Sequence, residues 1–478
     1  MSIFYFSFDK NTSRTIVRFM RNTRRFFLCA FFGGMLCAIF AAPPLTVPVY
    51  DFSAIPDSAG VRSDKQVLER WITGPVSALG EMQMEIHTDD TGQKFQIRAE
   101  DDGTHISVVI IPRKTVEITE YTSGGVFSTK SDAYISGDPG TWILKRDKTL
   151  GAVVSLTYFF TGDKEVYVSF MPGTVSGQSL ADLVIFGAHV SRSIKIPAPI
   201  DYFFTASIFD VRKKTAPLLQ WKYVTVNPYF YRDSLYMIDV IRANLKRVIF
   251  APDAAYNEKG ESIAVITGEK RAIDASVTAA KKLELSDAGF VKWIVDGLIE
   301  RGAGNYTKIP PLTSKTYSYA PGSFLGTLDT KYNLTFSLDW TRNLAIAAFS
   351  VAAGKNYPPS FRGTDVTDSP FIFSAGLDYI EGSGYNSKSL KAILYALCAT
   401  ESDTFFLAAI RETERRTSPE VNYFNKSAVI FTYFDSSAKL KITIFENGTE
   451  VSLENFLAKY PGSFIHLSRV KASERFSL

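Results

Sequence analysis

Cysteine is nearly absent from this chain of 478 residues: of three, Cys29 and Cys37 lie in an apolar N-terminal segment, which leaves Cys398. A lone cysteine makes no internal disulfide, so stability has to come from packed cores. Histidine is almost as scarce. His87, His105, His189 and His466 are the only four, and none has a second histidine or a cysteine at ligand spacing, which argues against a zinc centre built on the usual donors. No metal and no cofactor is expected, for the chain also lacks a P-loop, a dinucleotide glycine fingerprint, a GxSxG elbow and an HExxH pair. An excess of one charge is missing too. Six basic residues (Lys10, Arg14, Arg18, Arg21, Arg24, Arg25) and Asp9 fall within residues 1–41, and the remainder holds 47 basic against 48 acidic residues. That balance excludes the broad basic surface of a nucleic-acid binder.

Residues 26–42, FFLCAFFGGMLCAIFAA, form the one long uncharged apolar run of the N-terminal region, with Arg24 and Arg25 before it and Pro43 and Pro44 after it. A basic stretch, an apolar stretch and a small-residue exit are the layout of a secretory signal. The run is short for a bilayer span of about 20 residues, and Gly33 and Gly34 weaken it as a helix. Cleavage after Ala41 is expected, with retention as a membrane anchor the alternative. Starting translation at Met20 would give a signal of ordinary length, so Met20 is expected to be the start. The chain is thus read as exported, to the periplasm or the extracellular space, touching membrane only through this segment if it is not removed.

Beyond the signal, 46% apolar residues, among them 37 Phe, 23 Tyr and 5 Trp in the whole chain, exclude disorder and allow ordinary cores. Residues 80–112 alternate apolar and polar, with Met82, Met84 and Ile86, then Phe95 and Ile97, then Ile106, Val108 and Ile110, broken by DDTG and EDDG. These predict three antiparallel strands with hairpin turns, and the turns read as solvated rather than as calcium loops. Val116 and Ile118 suggest a fourth strand, and TGDKE joins two more over 153–171. Ser179 is expected to cap a short helix through LADLVIFGAHV. The proline and aromatic stretch from 197 to 231 suits ordered loops and edge strands. Its cluster YFYRDSLYM, at 229–237, is a candidate platform for a glycan or peptide, although aromatic clusters more commonly pack cores.

Ser286 opens a helix in which Phe290, Val291, Ile294, Val295, Leu298 and Ile299 recur at three- and four-residue steps. A second is expected from Asp339 to a stop at Gly354, and a third from Ser387 to Ala399 with Cys398 on its apolar stripe. Strands follow at about 404–411, 427–434 and 440–446, then a short helix after Ser452 and a last strand, SFIHLSRVK. The fold class is therefore α+β overall: an N-terminal antiparallel β-rich, sandwich-like domain over 42–260, after the signal at 1–41, and a C-terminal α+β domain over 270–478.

Candidate chemistry gathers in FSLDWTRNL, at 336–344. A helix starting at Asp339 would place Trp340 and Arg342 in its first turn, where backbone donors can hold an anion. A helix start followed by an antiparallel sheet carrying His466 resembles the papain-like layout of NlpC/P60-type peptidoglycan hydrolases, a likeness of element order over about 190 residues. Those enzymes carry a cysteine at the helix start, whereas this chain has Trp340 and Thr341 there. The resemblance implies, as the alternative function, a hydrolase acting on peptidoglycan or peptide, with Thr341 or Ser387 as nucleophile and His466 as base. The pairs Asp378 with Glu381 and Asp287 with Asp296 read as surface carboxylates. No catalytic residue is assigned, and Asp339, Trp340, Arg342 and His466 are the candidate binding residues. If they are only structural, Asp339 caps the helix, Trp340 meets the sheet, and Arg342 pairs with a carboxylate or lies in solvent. The leading expectation is a non-catalytic envelope protein that binds or scaffolds a glycan or protein partner.

Overall fold

Eight strands of the first half form one antiparallel sheet, in the computed structural model, which describes residues 54–122, 125–372 and 379–478. The expected signal and the start at Met20 lie outside the described residues. All eight strands follow chain order as a meander: Glu85–Thr88, Lys94–Asp101, His105–Pro112, Trp142–Asp147, Val153–Tyr158, Val166–Pro172, Ser179–Ile185 and Ala188–Ile196, the first and last at the edges. The turns form as their residues require. Asp89 Oδ1 accepts from the backbone N–H groups of Thr91 and Gln93, both at 2.9 Å, and Gly92 takes a positive φ of 86° that only glycine adopts freely. Asp102 does the same for Thr104 and His105 beside Gly103.

Register carries the core across this sheet. Val108 faces Leu144, Leu144 faces Leu156, Leu156 faces Phe170, and Phe170 faces Ala181, all fully buried. Between the third and fourth strands of the meander the chain leaves to form the two-stranded hairpin Lys114–Thr122 and Gly125–Ala133 and then returns. Arg62, fully buried, donates to the carbonyls of Phe204 (2.7 Å) and Ala206 (2.9 Å) and so ties the first helices to the segment beyond the sheet.

Residues 179–190 are a strand hairpin and not a helix, because LADLVIF buries alternate residues and Phe186 and Gly187 turn the chain with φ of 48° and 78°. The stretch from 197 to 231 folds as short helices, Tyr202–Thr205, Ile208–Thr215, Trp221–Tyr223 and Pro228–Phe230, rather than edge strands.

In the second half a seven-stranded antiparallel sheet runs in the order Tyr379–Ile380, Gly384–Asn386, Phe464–Lys471, Thr404–Glu414, Val421–Phe434, Leu440–Glu446, Thr449–Val451. The fold is thus α+β. Alternate residues of each strand feed two cores. Phe405, Leu407, Val429, Phe431 and Phe445 meet the helices Asp287–Ala303 and Phe336–Ala353. Phe406, Ala408, Ile410, Ala428 and Ile430 face the helix Leu390–Thr400, in a core that also contains Trp221, Phe160 and the inner face of the first sheet. Tyr50–Leu478 form one compact unit, and one core draws its buried residues both from 55–231 and from 366–467.

Candidate functional site

Helix Phe336–Ala353 begins three residues before Asp339, after Thr335. Asp339 is therefore inside the first turn and not a cap. Its Oδ1 accepts from the backbone N–H and the hydroxyl of Thr316, both at 2.7 Å, and its Oδ2 accepts from the hydroxyl of Thr335 at 2.7 Å, with Lys315 Nζ 3.7 Å away. The Thr335 hydroxyl, free of capping duty, is spent on that carboxylate. Trp340 is fully buried in the core between sheet and helices, and its indole N–H donates to Ala288 O at 2.9 Å, joining this helix to helix Asp287–Ala303.

Arg342 sits one turn after Leu338 and one turn before Ile346, both buried, so the helix period itself carries the guanidinium inward. A buried cation needs a counter-charge. Asp365 supplies it: Arg342 Nη2 lies 2.9 Å from Asp365 Oδ2, and Nε donates to Oδ1 at 3.2 Å, a bidentate pair. Asp365 is placed by a bridge in which the segment 364–366 lies antiparallel beside the last strand, with Val366 N–H donating to Leu467 O at 2.9 Å and Arg469 N–H to Thr364 O at 2.7 Å. Arg342 Nη1 also donates to the Thr316 hydroxyl at 3.3 Å, which links the two carboxylates through one threonine.

His466 projects from the last strand on the face opposite Ile465 and Leu467, as the strand period predicts, and it is fully buried. Its Nε2 is 3.2 Å from Arg342 Nη2 and 3.6 Å from Asp365 Oδ1. A guanidinium only donates, so Nε2 must be the acceptor and the ring proton sits on Nδ1, which has no partner. Burial pushes His466 below its ordinary value and the Arg342 charge adds to this, against the opposing pull of Asp365. For Asp365, burial pushes the carboxyl up, but the bidentate Arg342 guanidinium outweighs it and holds the acid below the usual carboxylate range. The centre is a neutral imidazole against an ion pair.

Three of the sequence-derived residues, Asp339, Arg342 and His466, therefore meet in one network, whereas Trp340 points to the neighbouring helix. Asp365 and Thr316 complete the network. The sequence signal for a partner was Arg342 itself, a cation on an apolar stripe. None of these residues opens to solvent. Thr341, where the papain-like layout carries its nucleophile, turns its hydroxyl back onto Ser337 O at 2.9 Å. Ser387 accepts from Gly462 N–H at 3.0 Å and is buried. A base must offer its lone pair to the attacking group. That of His466 is taken by Arg342.

The other candidates separate. In YFYRDSLYM, Tyr231 is buried and donates to Cys398 O at 2.8 Å, Tyr229 is 86% exposed, and residues from Arg232 onward form the helix Arg232–Asn244, so no common platform results. Asp296 is a buried residue paired with Lys292, and Asp287 is mostly buried; both were expected at the surface. Asp378 lies outside the described residues.

Residues 51–223 match the model of a domain of unknown function, DUF8515. The match covers the first sheet and the helices after it, and stops well short of Asp339. No curated protein and no solved structure matches the chain.

Proposed function

We propose that this chain is an exported cell-envelope protein that binds or scaffolds a glycan or protein partner and does not cleave it. The observation that carries the reading is the closed Arg342–Asp365–His466 centre: where the resemblance to NlpC/P60-type hydrolases would set nucleophile and base, this chain has a desolvated ion pair and an imidazole without a free lone pair on Nε2. The signal-like segment at 26–42 supports the envelope as the place of action.

Expression of the full chain in a Gram-negative host tests both halves. The mature protein should begin at Ala42 by N-terminal sequencing and appear in the periplasm or medium. Incubated with purified peptidoglycan sacculi, it should release no soluble fragments. Release of muropeptides that disappears in His466→Ala would establish a hydrolase instead, and retention in the cytoplasm would remove the envelope.

A further inference from the structure

Both long helices of the second half begin on the wall of one cavity of about 850 Å³. Its apolar lining includes Leu328, Leu334 and Val421, and the rings of Tyr332 and Phe336 contribute aromatic surface. Among its charged lining residues are the carboxylates Asp253, Asp287 and Glu414, against one cation, Lys331, whose Nζ is already 4.9 Å over the Tyr332 ring. The three carboxylates differ in what they have left to offer. Asp253 Oδ1 accepts from Ile266 N–H at 2.8 Å, and both oxygens of Glu414 are held by Arg416. Asp287 Oδ2 is buried and accepts no hydrogen bond, and its ion pair with Lys426 Nζ is long, at 3.8 Å.

We infer that this cavity binds an amphiphilic organic cation, an amine or quaternary ammonium on an apolar body, with Asp287 as the counter-charge. A carboxylate inside an apolar, aromatic-walled cavity is the arrangement that selects an ammonium group, because ring faces attract a cation and the desolvated charge gains most from a partner. A carboxylate ligand would meet the negative charge of Asp287 instead. Burial raises the Asp287 carboxyl, against which Lys426 works. Position at the first turn of a 17-residue helix favours the ionised form. The inference stands apart from export and from any glycan, and it concerns neither Arg342 nor His466.

Titration calorimetry of the full chain with octyltrimethylammonium, well below its micellar range, tests it, with octanoate as the anion of equal chain length. Saturable binding at one site is expected, with octanoate weaker by about tenfold or more. Asp287→Asn, which keeps shape and removes the charge, should weaken the ammonium by about tenfold. Ile266→Arg sets a cation at the rim of the cavity, at a residue 79% exposed, and should weaken it too without disturbing the core, which keeps the test decisive if Asp287→Asn does not fold. No saturable binding to the wild type, equal affinity for octanoate, or variants that fold and bind as the wild type does would each overturn the inference.

Discussion

At the scale of single residues, burial sets the chemistry. Cys398 is enclosed on helix Leu390–Thr400, and loss of water pushes its thiol up to about 12, so almost no thiolate exists at neutral pH. The native protein should resist maleimide labelling and migrate identically with and without reductant; rapid labelling before denaturation would show the helix to be open there. His466 makes a pH prediction of definite sign. Its folded pKa is lowered from 6.5, so in mildly acidic solution the unfolded chain binds a proton that the folded chain refuses. Stability is therefore full above about pH 7 and falls as pH descends through about 6.5. Asp365, also lowered, adds its loss further down, in the same direction. Urea midpoints measured from pH 8 to pH 5 should fall, and His466→Gln should flatten that fall; an equal slope in the variant would assign it to other groups.

Among elements, those with strong local signals were legible. Ser286 and Ser452 cap their helices as expected, each hydroxyl accepting from a backbone N–H three residues on at 3.2 Å, and Gly304 ends the first of these helices in the left-handed region. The alternation at 94–112 and the turns at DDTG and EDDG likewise set strands where expected, whereas the first strand is only Glu85–Thr88 and leaves Met82 and Met84 outside it. Short apolar runs were not: LADLVIF fits either period, and only the pairing of 179–185 with 166–172 decides it. The candidate site was half legible. Arg342 and His466 stood out as residue types, but Asp365 lies in a loop 101 residues before His466, and nothing local marks it. The start of helix Phe336–Ala353 also changes an energetic expectation. Were Asp339 a cap, Asp339→Ala would cost roughly 1 kcal/mol. Because it accepts three hydrogen bonds inside the fold, the cost should be nearer 3 kcal/mol, from donors left unpaired. Trp340→Ala should cost about 3 to 5 kcal/mol. Urea unfolding checks both, and an Asp339→Ala loss of only about 1 kcal/mol would return the residue to a capping role.

For the whole molecule, the shared core matters more than the sheet boundaries. Helix Leu390–Thr400 lies in the same core as the first sheet, and Asp163, from the first half, accepts from Leu440 N–H at 2.8 Å. A protease cut between 250 and 285 should leave the two fragments associated and unfolding in a single transition, and release of a separately folded C-terminal piece would show that each half has a core of its own. The same long-range closure defines the Arg342 centre, where helix 336–353, the segment 364–366 and the last strand meet. If that centre is internal architecture, Arg342→Ala removes the bidentate partner of the buried Asp365 carboxylate and leaves it only the longer ion pair with Arg362 Nε, 3.8 Å from its Oδ2, a loss of about 3 kcal/mol or more. The most direct measurement is therefore the unfolding free energy of Arg342→Ala in urea, paired with its sedimentation on purified sacculi. A stability loss of that size is the predicted result. Unchanged stability together with abolished sacculus binding would contradict it and make Arg342 part of an open binding site.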